Sequence, residues 1–463
     1  MTSTLNLPIE LDRLIDSFSR EAFHGNAAWF VGAGASRPSK LASWLELLKP
    51  LGDELGIKVS LDDDLPAIAQ YYINRMSGNR GPLVQHLKQV LGRPTGPSVY
   101  HHQLARSNVS TIWTTNYDHL IEDALGLAGV RRRVRARESD MVELGPVDGV
   151  EVIKVHGSFD VSEAHEFVIA TEDFEDFAVR RPATIERLRS DLLRKSFLFI
   201  GYGYGDPNIR AVLLEARRLA GRAGQPHYML IATEDAADPE KVQRQLLWQA
   251  DLRRIGIQCV LMQDYTSIEA AVGRITRRSR GPTVYVTGSH NGTSGLAAAV
   301  GAMLARPESA QTILLDGQSA GVSRELLFSF QDACVKQRID LNERLRFFPN
   351  PYASNPSFSS DPSLLPVLKD WRAPMLRQAH SILVFDGGMG TAAEVEIALE
   401  LGCCIIPVPE SASGLAIRLL DDAKIESELN RRAPGFASKA RSLKLTAVDV
   451  VDCLLADMPP WPL

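Results

Sequence analysis

The chain has 463 residues, a hydrophobic fraction of 45% and a formal net charge of −5. This gives room for two or three packed domains and no electrostatic reason to expect a nucleic-acid partner. Its five cysteines include no C-x-x-C pair, so neither a four-cysteine zinc site nor a disulfide framework is supported, and a cytoplasmic location is expected. Residues 1–10 lack the basic start and apolar core of a signal peptide, and no apolar run approaches the ~20 residues of a spanning helix. No membrane partner is expected.

In chain order, residues 11–23 have helical apolar spacing and 28–31 form a short apolar run that ends in glycines, read as a buried strand. Residues 44–55 read as an amphipathic helix. A strand over 109–114 leads into a helix over 117–127, and a strand over 150–155 ends at His156. A helix over 185–194 precedes a strand over 197–200, followed by strands over 227–232 and 258–262. This alternation predicts a parallel sheet covered on both faces. Residues 274–282 are polar, hold four arginines and end in Gly-Pro, and are read as a linker. The pattern then restarts, with strands over 283–287, 312–315, 345–348, 382–385 and 404–408 and helices over 295–304 and 391–401. Residues 350–366, rich in Ser and Pro, are expected to be loop, and the proline-rich tail 458–463 irregular. The predicted fold class is α/β, with two doubly wound, mainly parallel-sheet domains over 1–281 and 283–463. The five arginines within 131–137 are read as the exposed face of an edge strand.

Four strand ends of the first domain carry candidate chemistry. They are Gly32-Ala33-Gly34-Ala35-Ser36, Thr115-Asn116-Tyr117-Asp118, His156-Gly157-Ser158 and Gly201-Tyr202-Gly203-Tyr204-Gly205-Asp206. Ligands of doubly wound sheets sit at the carboxyl ends of the strands, so these segments surround one crevice. Each also has a plainer reading. The first glycines can make a tight turn, Asn116 and Asp206 can cap the helices after them, and His156 can be an interior histidine. Their joint occurrence favours a site.

The stretches 30–36 (FVGAGAS), 114–118 (TTNYD), 154–158 (KVHGS) and 199–206 (FIGYGYGD) together resemble the sirtuin-like superfamily. The resemblance implies NAD binding and cleavage of the nicotinamide–ribose bond. It would place Gly32, Ala33, Gly34, Ala35 and Ser36 along the pyrophosphate, with Gly201 and Asp206 also on the dinucleotide. Asn116 and Asp118 would face the nicotinamide ribose, and His156 would be the base. The Asn116 amide would orient a water and His156 would take a proton from it or from a ribose hydroxyl. NAD would be the substrate, with no metal needed. The zinc module of the deacetylase branch is missing, which turns the expectation from peptide deacylation to hydrolysis of NAD itself. A protein deacylase, or a nucleotide-binding regulator without catalysis, is the alternative.

In the second domain one strand ends in Gly288-Ser289-His290-Asn291-Gly292. Another ends in Asp386-Gly387-Gly388-Met389-Gly390-Thr391, with Glu394 three residues on. A glycine turn opening a helix suits a phosphate, although Glu394 and Asp386 are also favourable near a helix start with no ligand. This run, with 371–377 (WRAPMLR) before it, resembles the SLOG superfamily of nucleotide-binding proteins. The resemblance would put phosphates on Gly288, Ser289, Gly387, Gly388, Gly390 and Thr391, cations at Arg372 and Arg377, and ribose hydroxyls on Glu394. Read alone, the two arginines are equally solvated helix cations. The family's arginine falls where this chain has Trp371, which favours binding over a second hydrolase. The two halves together resemble the effectors of the Thoeris antiphage system. That resemblance implies a cyclic ADP-ribose isomer as activator, a TIR-domain protein as its source, and a homotetramer or filament.

Overall fold

A computed structural model of the chain describes residues 10–60, 63–143, 149–159, 163–203, 205–221, 224–280, 282–289, 292, 294–306, 312–350 and 363–457. His290, Asn291, Tyr204 and the tail 458–463 lie outside the described residues, as does most of the loop expected over 350–366. The chain divides into two compact units, Met1–Gly126 with Val130–Ala271, and Leu127–Gly129 with Val272–Leu463.

The first unit is built on seven strands, β1 (Ala27–Val31), β2 (Thr111–Thr114), β3 (Arg132–Arg135), β4 (Val150–Lys154), β5 (Ser196–Ile200), β6 (His227–Ala232) and β7 (Ile257–Met262). They form one sheet in the order β3-β4-β2-β1-β5-β6-β7, and every neighbouring pair is parallel. The central strands β1, β2, β4 and β5 are buried at every position. Burial on both faces is why they read as continuous apolar runs and not as alternating ones. Phe30, Trp113, Ile153, Phe197 and Phe199 pack into one cluster across these strands. From β1 the chain builds the sheet towards β2, and from β5 it builds the other way, so the carboxyl ends of β1 and β5 flank the topological switch point.

The arginine run on β3 corrects one expectation. Arg132 is exposed on this edge strand, but Arg135 is buried and its Nε lies 2.6 Å from Glu151 of β4. Glu151 also takes Arg187 at 2.6 Å. The run is therefore partly an internal ion-pair strut, which a reading of charge alone does not distinguish from a solvated face.

The second unit holds β8 (Thr283–Gly288), β9 (Ile313–Asp316), β10 (Leu345–Phe347), β11 (Ser381–Phe385) and β12 (Cys404–Pro407). Their order is β10-β9-β8-β11-β12, again parallel throughout. Its switch point lies between β8 and β11. The helices Gly295–Leu304 and Val322–Gln337 pack so closely that a Cβ on Gly301 would sit 2.1 Å from the Leu326 carbonyl oxygen.

The expected linker over 274–282 is mostly helix, because the helix Tyr265–Arg280 runs through it. Arg274 and Arg277 have carboxylate partners far along the chain. Arg277 Nε donates to Asp457 at 2.8 Å, and Asp457 also accepts from Arg432 at 2.8 Å. Burial opposes ionisation of Asp457, but Arg277, Arg432 and Arg431 outweigh it and hold its carboxyl far below the ordinary range. Likewise residues 365–366, expected to be loop, open the helix Leu365–Leu376. Among the described residues no helix is long and apolar enough to cross a membrane.

Candidate active site

The turn after β1 meets the turn after β5 backbone to backbone. Gly32 N–H donates to the Ile200 carbonyl at 2.9 Å and Gly34 N–H to that of Gly201 at 2.8 Å. A Cβ on Gly32 would lie 2.6 Å from the Gly201 carbonyl oxygen, and one on Gly34 2.8 Å from Gly201 Cα. Gly201 itself has φ +62°, and its Cβ would lie 2.3 Å from Ala35 N. The glycines let two turns touch. The Gly32 and Gly34 N–H groups are spent on this contact between the turns. Ala33, Gly34, Ala35 and Gly201 still line cavities here, as given below.

Asn116 stands just beyond β2. Its backbone N–H donates to Thr114 Oγ1 at 3.0 Å. Its Nδ2 donates to the Gly32 carbonyl at 3.3 Å and to Ser36 Oγ at 3.1 Å. Ser36 Oγ in turn donates to Asp118 Oδ2 at 3.0 Å. The helix Leu120–Leu127 is capped by Asp118, whose Oδ1 accepts from Leu120 N at 3.1 Å. Asn116 is therefore not its cap. Asn116 Oδ1 is buried and has no hydrogen-bond partner among the described residues. Such an orphan acceptor costs stability and calls for an explanation.

His156 follows β4 directly. Its Nε2 lies 2.7 Å from Asp206 Oδ2, with both side chains 5% exposed. Asp206 Oδ1 accepts from Asn208 N at 2.8 Å and Ile209 N at 3.3 Å, capping the helix Pro207–Ala220. The capping reading of Asp206 holds through Oδ1, while Oδ2 is taken up by His156. His156 Nδ1 is a second buried atom without a partner among the described residues. Phe174 meets the imidazole edge-on at 5.7 Å.

His156 and Asp206 line a cavity of about 920 Å³ with Ala33, Trp44, Thr115, Phe174 and Tyr202. A second cavity of about 490 Å³ is lined by Gly34, Ala35, Tyr100, Glu234, Trp248 and Tyr265. Gly201, Tyr202 and Gly203 belong to both walls. Sequence reasoning missed His101, on the helix Val99–Arg106, which approaches Ser36 Oγ at 3.5 Å. Its only signal was the Ser98–His101 spacing of a capping box. It also missed fully buried Lys154, which bonds Glu122 at 2.8 Å and the Asp118 carbonyl. Lys154 so ties the turn bearing Asn116 to the strand bearing His156.

In the second unit the switch-point glycines again meet neighbouring atoms. A Cβ on Gly288 would lie 2.6 Å from the Phe385 carbonyl oxygen, and one on Gly387, at φ +119°, 2.3 Å from Thr391 Oγ1. Among the described residues nothing lies within 4 Å of a Cβ on Gly388 or Gly390. Ser289 N–H donates to Phe385 O at 3.2 Å. Asp386 is not a first-turn charge. Its carboxylate accepts from Glu410 N, Ser411 N and Ala416 N at 3.0–3.1 Å and so holds the loop after β12.

Glu394 and Arg372 are bonded to each other, Nε to Oε1, at 2.8 Å. Glu394 also accepts from Tyr285 OH at 3.0 Å and Thr287 Oγ1 at 2.6 Å. Arg372 donates further to the Gly317 carbonyl at 2.9 Å and to Ser319 Oγ at 3.0 Å. The solvated-cation reading of Arg372 is thus corrected. Arg377 is half-buried, and its Nε lacks a partner among the described residues. Burial lowers its pKa against the pull of Asp370.

Residues 110–254 match the model of the SIR2-like domain. The chain is 34% identical over 296 residues to the NAD(+) hydrolase ThsA of Bacillus cereus (strain MSX-D12), covering 62% of this chain and 60% of that protein. It is 34% identical over 290 residues to the protein of the same name from Enterococcus faecium, covering 60% of each. With the one from Acinetobacter baumannii (strain 532279) it shares 28% identity over 462 residues, which covers 92% of this chain and 93% of that one. The chain is similar to several proteins named NAD(+) hydrolase ThsA. The matches thus span about three fifths of the first two ThsA relatives and nearly all of the third. The SIR2-like match starts just before β2 and so contains Asn116, Asp118, His156, Gly201 and Asp206. Among the described residues no group of three or more His, Cys, Asp or Glu is placed to hold a metal ion.

Proposed function

We propose that this chain hydrolyses NAD to nicotinamide and ADP-ribose in antiphage defence. The observation that carries the reading is the pair of buried acceptors, Asn116 Oδ1 and His156 Nδ1, without a partner among the described residues, at the ends of adjacent strands. The names of its relatives, NAD(+) hydrolase ThsA, support the choice of substrate. The two cavities that share the Gly201–Gly203 wall suit a dinucleotide whose diphosphate crosses that wall, with the nicotinamide end beside His156.

The C1′–N bond breaks with its electron pair passing to the nicotinamide ring, which leaves neutral. Positive charge develops at the ribose. Asn116 Oδ1 accepts a hydrogen bond from the attacking water and orients it. His156 Nδ1 takes the proton that the water loses as the new C1′–O bond forms. Asp206 holds the opposite nitrogen, so the imidazole presents Nδ1 as the base.

A cyclic ADP-ribose isomer, made by a TIR-domain protein, is the proposed activator, bound at the β8–β11 switch point of the second unit. Gly388 and Gly390 have open space for its phosphates, and Arg372 with Glu394 forms the polar floor. Activation requires that the isomer bind the active arrangement better than the resting one. A homotetramer or filament belongs to the same proposal. The test is nicotinamide release by the purified full chain, with and without cyclic ADP-ribose isomers. Release that rises with an isomer supports the reading. Equal release with and without it removes the sensor, and no release under any condition removes the hydrolase.

A further inference from the structure

We infer that His101 is a positioning residue that fixes, through Ser36, which end of the Asn116 amide faces the reaction. The inference rests on the proposed NAD hydrolysis for its meaning, and on the following hydrogen-bond inventory for its content.

His101 is fully buried at the third position of the helix Val99–Arg106. Its Nδ1 accepts the Ser98 backbone N–H at 3.0 Å and lies 2.8 Å from Ser98 Oγ, a hydroxyl that can donate to the same lone pair. An accepting Nδ1 carries no proton, so the neutral ring carries its proton on Nε2. That nitrogen is the one 3.5 Å from Ser36 Oγ. Burial keeps the ring neutral, with the imidazole held down to about 4 despite the nearby Asp118 charge.

The proton count at Ser36 then closes. Its single O–H goes to Asp118 Oδ2 at 3.0 Å, an acceptor only. Its two lone pairs receive His101 Nε2–H and Asn116 Nδ2–H. The second Nδ2 hydrogen goes to the Gly32 carbonyl, also an acceptor only. A flipped Asn116 would set Oδ1 against that carbonyl and against a Ser36 oxygen with no hydrogen to offer. The amide therefore has one allowed orientation, with Oδ1 on the side where no donor lies among the described residues. His101 contributes by filling the lone pair that would otherwise leave the Ser36 hydroxyl free to turn.

Two substitutions separate this role from helix capping. His101→Asn keeps an acceptor where Nδ1 stands, and so keeps the cap, but does not reach Ser36. His101→Gln puts an amide N–H where Nε2 stands but gives up the cap acceptor. The expected result is a kcat for nicotinamide release about tenfold lower in His101→Asn, as for one hydrogen bond lost in the transition state. KM for NAD is expected to stay unchanged, and His101→Gln to restore most of kcat. The opposite order, with Asn active and Gln impaired, would overturn the proposal in favour of a purely structural cap. So would equal activity of all three proteins.

A readout free of turnover is the side-chain amide resonances of Asn116. They should stay as in the unsubstituted chain in His101→Gln and shift or broaden in His101→Asn. Unchanged resonances in His101→Asn would sink the inference even if the chain hydrolyses no NAD. Conversely, a shift without any NAD loss would retain the positioning and remove only the reaction.

Discussion

Asp206 serves His156 and its own helix at once, with Oδ2 2.7 Å from His156 Nε2 and Oδ1 capping through Asn208 N–H. The cap fixes the carboxylate, and the carboxylate fixes the ring. Asp206→Asn keeps an acceptor for the cap but loses the negative charge facing the imidazole. We predict that nicotinamide release falls by about 10²-fold or more, the range of a misdirected general base, with a thermal midpoint near that of the unsubstituted chain. Release within twofold of the unsubstituted chain would show that His156 needs no carboxylate partner.

Two buried histidines set a pH dependence of stability. Burial holds His101 down to about 4, and burial helped by the Arg217 charge does the same for His227. In the unfolded chain both titrate near 6.5. Between those values the unfolded state binds protons that the folded state does not, so stability is full above about 6.5 and declines as pH falls towards 4. Each ring is worth on the order of 3 kcal/mol over this window. The thermal midpoint should drop steadily from pH 7 to pH 4. His227→Asn, which keeps an acceptor for the Phe197 N–H, should flatten that slope. A slope unaltered by His227→Asn would mean that this ring protonates without unfolding.

What could be seen from the sequence was whatever announces itself locally. The runs at β1 and β5 are apolar and end in glycine, and the Asn116 and His156 segments follow strands at once, so the strand ends were legible. The helices Leu65–Arg75, Gly81–Leu91 and Val99–Arg106 were not read, although Leu65 and Pro66 line the larger cavity and His101 stands on the third. Helical spacing was there to be read, as Ile68, Ala69, Tyr72 and Ile73 or Leu83, Val84 and Leu87 show, but no glycine-ended strand marks these segments. Pairings over long separations were equally hidden. His156 and Asp206 are 50 residues apart, and Arg277 and Asp457 are 180 apart. An arginine reads as solvated until its carboxylate is found, which is why residues 274–280 looked like a linker and Arg372 like a surface cation.

The glycines at the first switch point make opposite demands. Gly201 has φ +62° and no room for a Cβ beside Ala35 N, whereas Gly203, on the same cavity walls, has nothing within 4 Å among the described residues. Gly201→Ala should cost about 2–4 kcal/mol, from backbone strain plus a backbone clash. Gly203→Ala should leave denaturant stability within about 0.5 kcal/mol. If Gly201→Ala folds with undiminished stability but binds NAD poorly, its freedom serves the ligand and not the contact between turns.

The Arg372–Glu394 pair gives the second unit a sharp test, because its side chains are 5% and 11% exposed. Taking either partner away leaves the other charge buried and unmatched, and costs about 3–5 kcal/mol. Taking both removes the two charges together. Arg372→Met and Glu394→Gln should each lower the unfolding free energy markedly, while the double variant should recover a large part of the loss. The coupling read from that double-mutant cycle should exceed about 1 kcal/mol. A surface pair would give well under that, and a coupling near zero would mean that the two side chains stand apart in solution. Binding of a cyclic ADP-ribose isomer adds a further arm. If Arg372 is part of the polar floor of that site, the double variant recovers stability but not binding. Recovery of both would confine the pair to holding β8 and its neighbours together.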